Sequence, residues 1–85
     1  AEAERKAAEE KARAAAEKRR QEKITALEAE RTDLQARVLA VQDELANLKG
    51  LFTGRRRKEL EEKTAEIMSR LHEISKELKT LGAKR

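Results

Sequence analysis

The sequence contains no cysteine, proline, tryptophan or tyrosine, and only one phenylalanine and three glycines among its 85 residues. Lacking cysteine, the chain holds no disulfide and no thiolate metal site, and it carries no mark of a redox compartment. Lacking proline, it has no strong helix breaker. A single aromatic side chain leaves no series of rings on which nucleic-acid bases could stack. No apolar run approaches the ~18 residues of a membrane span, and no signal peptide is visible. Localisation, whether cytoplasmic or in a bacterial envelope, is therefore left open. The chain opens on AEAERK without an initiating methionine, as expected of an excised piece of a longer protein, from which any targeting signal would be missing. Its length allows one small domain, with too little interior for a deep active-site pocket beside a core.

What remains is charge and aliphatic side chains. Charged residues make up 45% of the sequence, and a composition dominated by Ala, Glu, Lys, Leu and Arg at heptad spacing belongs to long helices and coiled coils. The net charge of +4 is too modest to imply a nucleic-acid partner by itself. From Ile24 onward, Ile24, Leu27, Arg31, Leu34, Val38, Val41, Leu45 and Leu48 follow in alternating steps of three and four, a seam of period 3.5 with one cation in it. A second seam runs through Arg57, Leu60, Thr64, Ile67, Leu71, Ile74, Leu78 and Leu81. Folded back on each other, the two match in every layer: Leu48 with Arg57, Leu45 with Leu60, Val41 with Thr64, Val38 with Ile67, Leu34 with Leu71, Arg31 with Ile74, Leu27 with Leu78 and Ile24 with Leu81. The expected fold is all-α, an antiparallel two-stranded coiled-coil hairpin with a long first helix.

Three segments follow from this pattern. Residues 1–23 are of low complexity with only Ala as apolar side chain. They read as a solvated helical extension supported by i,i+4 pairs such as Glu2 with Lys6 and Glu9 with Arg13. Residues 24–82 form the hairpin, turning at 50–54, and 83–85 are a basic tail. The first helix is expected to run unbroken to Lys49, with Gly50 at its C′ position and Leu51 covering the last turn. The second is expected to start at Thr53 or Gly54 and to end at Gly82. A short turn favours pairing within one chain, so the hairpin is expected to be monomeric rather than a dimer. Beside the seam, the same antiparallel geometry makes Glu44 face Lys63, Glu30 face Glu77 and Arg37 face Arg70, the last two being like-charge meetings. Arg31 is expected to snorkel towards Glu28 or Glu77. Leu39 and Met68 are the notable apolar residues off the seam.

No catalytic constellation emerges. Glu61, Glu62 and the other carboxylates fall on solvated helix faces, where nothing shifts them towards acid or base work. His72 has no second His or Cys with which to hold a metal. The turn GLFTG is too short for a phosphate loop and has no GKS or GKT. No enzyme activity, cofactor or metal is expected. The stretch with the most character is Arg55, Arg56, Arg57 and Lys58, which sets four cations at the start of a helix, against the positive end of its dipole. Two readings stand side by side. The cluster is either a solubilising end neutralised by Glu59, Glu61 and Glu62, or a site for phosphate or nucleic acid.

The run AEAERKAAEEKARAAAEKRRQ resembles the Ala-, Lys- and Glu-rich helical stalks of TolA-like bacterial envelope proteins and of colicins, over about a quarter of the chain. LKGLFTGRRRKELEEK, set between heptads, is similar to the connector of helical hairpins in bacterial coiled-coil proteins, and the hairpin resembles in shape the tRNA-binding arm of seryl-tRNA synthetase. These resemblances imply a helical hairpin and carry over no functional residue. The expectation for function is a structural or protein-interaction module, a spacer or docking arm of a larger protein with a protein partner. The alternatives are nucleic-acid or phosphate binding through the basic tip, and an envelope or bacteriocin stalk.

Overall fold

The computed structural model describes residues 1–50 and 53–82. It contains two helices, α1 (Glu2–Ala46) and α2 (Thr53–Thr80), and no strand among the described residues. The molecule is a rod of 78 × 18 × 15 Å with a radius of gyration of 21.0 Å, against ~12 Å for a compact domain of this length. The helices run antiparallel, because the contacts between them descend on one chain as they rise on the other: Glu44 with Arg56, Glu30 with Arg70 and Arg20 with Leu81.

The 3.5-residue seam accounts for the whole interior. Ile24, Leu27, Leu34, Val41, Leu60, Ile67, Ile74 and Leu78 are buried, and every one is a seam position. Val38, Leu45, Leu48, Leu71 and Leu81 are half-buried on the same stripe. The layer that sets the seam's one cation in α1 against an aliphatic residue, Arg31 against Ile74, is well closed. Ile74 is completely buried, and the Arg31 guanidinium reaches Glu28 on its own helix at 3.6 Å, leaving an apolar stem over the seam. The thinner layer lies nearer the turn. Val41 and Leu60 are buried outside the main cluster of Ile24, Leu27, Leu34, Ile67, Ile74 and Leu78. There the half-buried Thr64, a seam position without a large aliphatic group, donates its hydroxyl to the Leu60 carbonyl at 2.9 Å.

The connection differs from the expectation. α1 stops at Ala46 instead of running to Lys49, with Asn47 as its C-cap. The Asn47 side-chain amide donates to the Asp43 carbonyl at 2.8 Å, and its backbone N–H is shared between the Asp43 and Glu44 carbonyls. An amide side chain that satisfies the last carbonyls from within competes with continuation of the helix. Gly50 still takes a positive φ of 115°, three residues beyond the cap, where a residue with a side chain would be strained. The covering role expected of Leu51 falls outside the described residues, as does the tail 83–85. α2 begins at Thr53, whose hydroxyl donates to the Gly50 carbonyl at 3.5 Å. Because α1 has unwound by Leu48, the layer expected between Leu48 and Arg57 does not close: Leu48 is half-buried and Arg57 is exposed.

At the far end Gly82 adopts φ 82° and its N–H bonds the Lys79 carbonyl at 3.1 Å, the inner bond of a Schellman cap. Arg20 of α1 reaches across and donates to the Leu81 carbonyl, a cation set against the negative end of the α2 dipole. Residues 1–19 are exposed throughout, and α1 passes from them into the paired region without a break.

Since all burial among the described residues lies in one stripe, the cost of truncation there should follow the seam. Ile74→Ala is expected to lower the unfolding free energy by ~2–5 kcal/mol. Leu39→Ala, at a position 67% exposed, should change it by no more than ~0.5 kcal/mol. Urea titrations followed by circular dichroism compare the two. Similar losses at both sites would mean that a second apolar interface exists.

Candidate interaction surfaces

One flank of the hairpin is a strip of ion pairs, arranged differently from the level pairing expected from sequence. The core register sets Glu30 level with Ser75, yet its partner is Arg70. The guanidinium runs along α2 towards its C-terminus and binds both Glu30 oxygens, Nε to Oε2 at 2.7 Å and Nη2 to Oε1 at 2.8 Å. The same group donates to Glu73 at 3.2 Å and lies 3.7 Å from Glu77. The expected repulsions of Glu30 with Glu77 and of Arg37 with Arg70 are thereby replaced by one arginine serving three carboxylates. Glu44 likewise takes Arg56 and not Lys63, at 2.7 Å from Nε, while Arg56 also donates to Glu59 at 3.3 Å. Arg37 turns back to Asp33 at 3.0 Å. Level-backbone geometry missed these pairs because an arginine side chain spans more than a helical turn. The signal available in sequence was the repeat Arg56-x-x-Glu59 and Arg70-x-x-Glu73, two heptads apart.

Hydrogen bonding to Glu30 first, and then to Glu73, raises the Arg70 pKa further above its ordinary value. Reciprocally, Arg70 lowers that of Glu30. Bonding to Glu44 likewise raises the pKa of Arg56. At the opposite end of the strip, Arg20 lowers the pKa of Glu17, with Gln21 adding to the effect. All these groups are solvated, so water and salt screen the interactions.

The basic tip comes together only in part. Arg55, Arg56, Arg57 and Lys58 occupy the first turns of α2, all exposed, with no acidic residue in the first turn. Arg56 is withdrawn from the cluster by Glu44 and Glu59. Arg55, Arg57 and Lys58 have no ion-pair partner among the described residues. Phe52, the one aromatic near them, lies outside those residues.

The other flank carries almost no charge where the seam is deepest. Leu39 and Met68, 67% and 53% exposed, belong to it together with Gln35, Gln42 and Ser75. His72, Glu61 and Glu62 are exposed. No group of three metal-ligating side chains occurs among the described residues, and none of their helices is long and apolar enough to cross a membrane. An open groove of about 490 Å³ lies along the helix pair between Arg37 and Lys63. No protein-family model, curated protein or solved structure matches this chain.

The Glu30–Arg70 pair predicts a pH response of definite sign. A glutamate whose pKa is lowered by folding stabilises the folded chain above its unfolded pKa, and this contribution is lost as pH falls through the folded pKa. Glu30→Gln should therefore lower the melting temperature at pH 7, and the gap from the parent should close in the acid range below ordinary glutamate titration. High salt should shrink the gap at pH 7. Melting curves across pH and salt provide the check. The tip has its own test: Arg55→Glu should raise the melting temperature at low salt, because an acid suits a helix N-terminus where a cation does not.

Proposed function

We propose that this chain is a non-enzymatic interaction module, a monomeric coiled-coil hairpin that serves as a docking arm of a larger protein. The observation that carries this reading is the distribution of burial on a 78 Å rod. Among the described residues every buried side chain is spent on joining the two helices, which leaves both long flanks free. The alternating steps of three and four along both helices are the geometry of a coiled coil. The unlike flanks, one striped with ion pairs and one nearly neutral with Leu39 and Met68 exposed, give the rod distinguishable sides to present. A rod with unlike sides orients a partner as well as holding it at a distance, which favours an arm over a passive spacer. The competing reading is a phosphate or nucleic-acid contact through Arg55, Arg57 and Lys58, supported by their exposure at a helix start without acidic neighbours in that turn.

The test is to place a photo-crosslinking amino acid at Leu39, Met68 or Arg55 in turn, within the full-length parent and in its own cells. Discrete protein adducts from Leu39 or Met68 are expected. Adducts to nucleic acid from Arg55 alone would replace the docking arm with the tip reading, and no adduct from any position would reduce the hairpin to a spacer. Sedimentation of the isolated chain should show a single 9.7 kDa species at all dilutions. A dimer with concentration-dependent melting would overturn the monomeric hairpin.

A further inference from the structure

The ion-pair strip has a gap in the middle. α2 presents the same element three times at heptad spacing, a cation followed three residues later by glutamate: Arg56 with Glu59, Lys63 with Glu66, and Arg70 with Glu73. α1 answers with Glu44, Arg37 and Glu30, also at heptad spacing. The two outer steps close as ion pairs between the helices, Glu44 with Arg56 and Glu30 with Arg70. At the middle step, arginine stands where the pattern calls for glutamate, and two cations share one groove. Arg37 has turned away to Asp33 on its own helix, and Lys63 has no ion-pair partner among the described residues. The groove has a volume of about 490 Å³. It opens beside the layer where Thr64 stands in place of a large aliphatic residue. Ala40 keeps its wall low, and Val41, Leu60 and Ile67 form an apolar floor.

Resting on the docking-arm reading, we propose that this notch receives a carboxylate from an acidic helix of a protein partner, which takes the place of the missing glutamate between Arg37 and Lys63. Charge complementarity selects the occupant. A single carboxylate between the two cations would convert a like-charge step into a third ion pair in line with its neighbours, while small apolar residues beside it would rest on Val41 and Ile67. Glu44 and Glu66 on the rim repel a chain of phosphates but leave room for one acid held on a helix. The notch thus differs in chemistry from the basic tip, which has no carboxylate in its first turn.

The probe is an acetylated and amidated helical peptide of alanine and leucine with glutamate at one central position, titrated into the isotope-labelled chain at low salt. Saturable amide shifts are expected at Arg37, Ala40 and Lys63, and should be absent at Leu39 and Met68. Lys63→Gln should weaken binding about two- to fivefold, as should replacing the peptide glutamate by glutamine. Arg37→Glu should abolish binding while raising the melting temperature, because it completes the strip within the chain; that gain excludes unfolding as the cause of the loss. No saturable shift, shifts confined to Arg55–Lys58, binding that survives Arg37→Glu, or a melting temperature that fails to rise in that variant would each overturn the notch. The two readings fail separately. If protein adducts form from Met68 in the parent but none forms from a crosslinker at Ala40 beside the notch, the docking arm stands and the notch falls. If adducts form from Ala40 and Arg37→Glu removes them, both stand.

Discussion

A pair of helices has a single interface, and every apolar side chain the chain can bury must lie in it. That constraint governs the rest of this molecule. The seam has to repeat every 3.5 residues to remain between the helices, so one face of each is committed along its paired length and the other faces are left to charge. It also explains why Ile74 is fully buried while Leu39 and Met68 are largely exposed: among the described residues there is no third layer to cover them. With no interior beyond the seam, polar chemistry is confined to solvated flanks, where ion pairs set register and orientation more than they add stability.

The arginines extend that constraint outward. Arg70 and Arg56 do not pair with the residues level with them but lie along α2 and meet glutamates of α1 displaced by about a turn. Arg31 solves a different problem by keeping its stem over Ile74 and its head on Glu28. In each case the length of the side chain permits the seam to be continuous while charges settle where solvent allows. Lysine at 63 and arginine at 37 are the exception, because neither supplies the other's counter-charge.

The hairpin and its core were legible in the sequence because aliphatic spacing is a property of the backbone period, which one short connection converts into register. Ile24, Leu27, Leu34, Val41, Leu60, Ile67, Ile74 and Leu78 could be named from steps of three and four alone. The helix end at Ala46 was less visible, because it depends on a side-chain bond from Asn47 to the Asp43 carbonyl and not on the glycine that marked the turn. Flank pairing was misread at Glu30, Arg37 and Glu44 because the level of a backbone does not fix where a guanidinium ends. The tip was legible as a cluster, but not the removal of Arg56 from it, since that requires knowing that Glu44 stands within reach.

Arg20, bonded to the Leu81 carbonyl, marks where α2 ends beside α1. On one side of it the rod is two helices thick, and on the other residues 2–19 continue as one. Resistance to bending rises steeply with thickness, so the stiffness of the molecule drops abruptly at that residue. A sideways load on the single helix concentrates its bending moment there, where Arg20 ties the two strands of the rod together. The far end of the hairpin is held as a rigid beam, while the thin end acts as its flexure, and the position of the joint is set by where Gly82 stops the second helix.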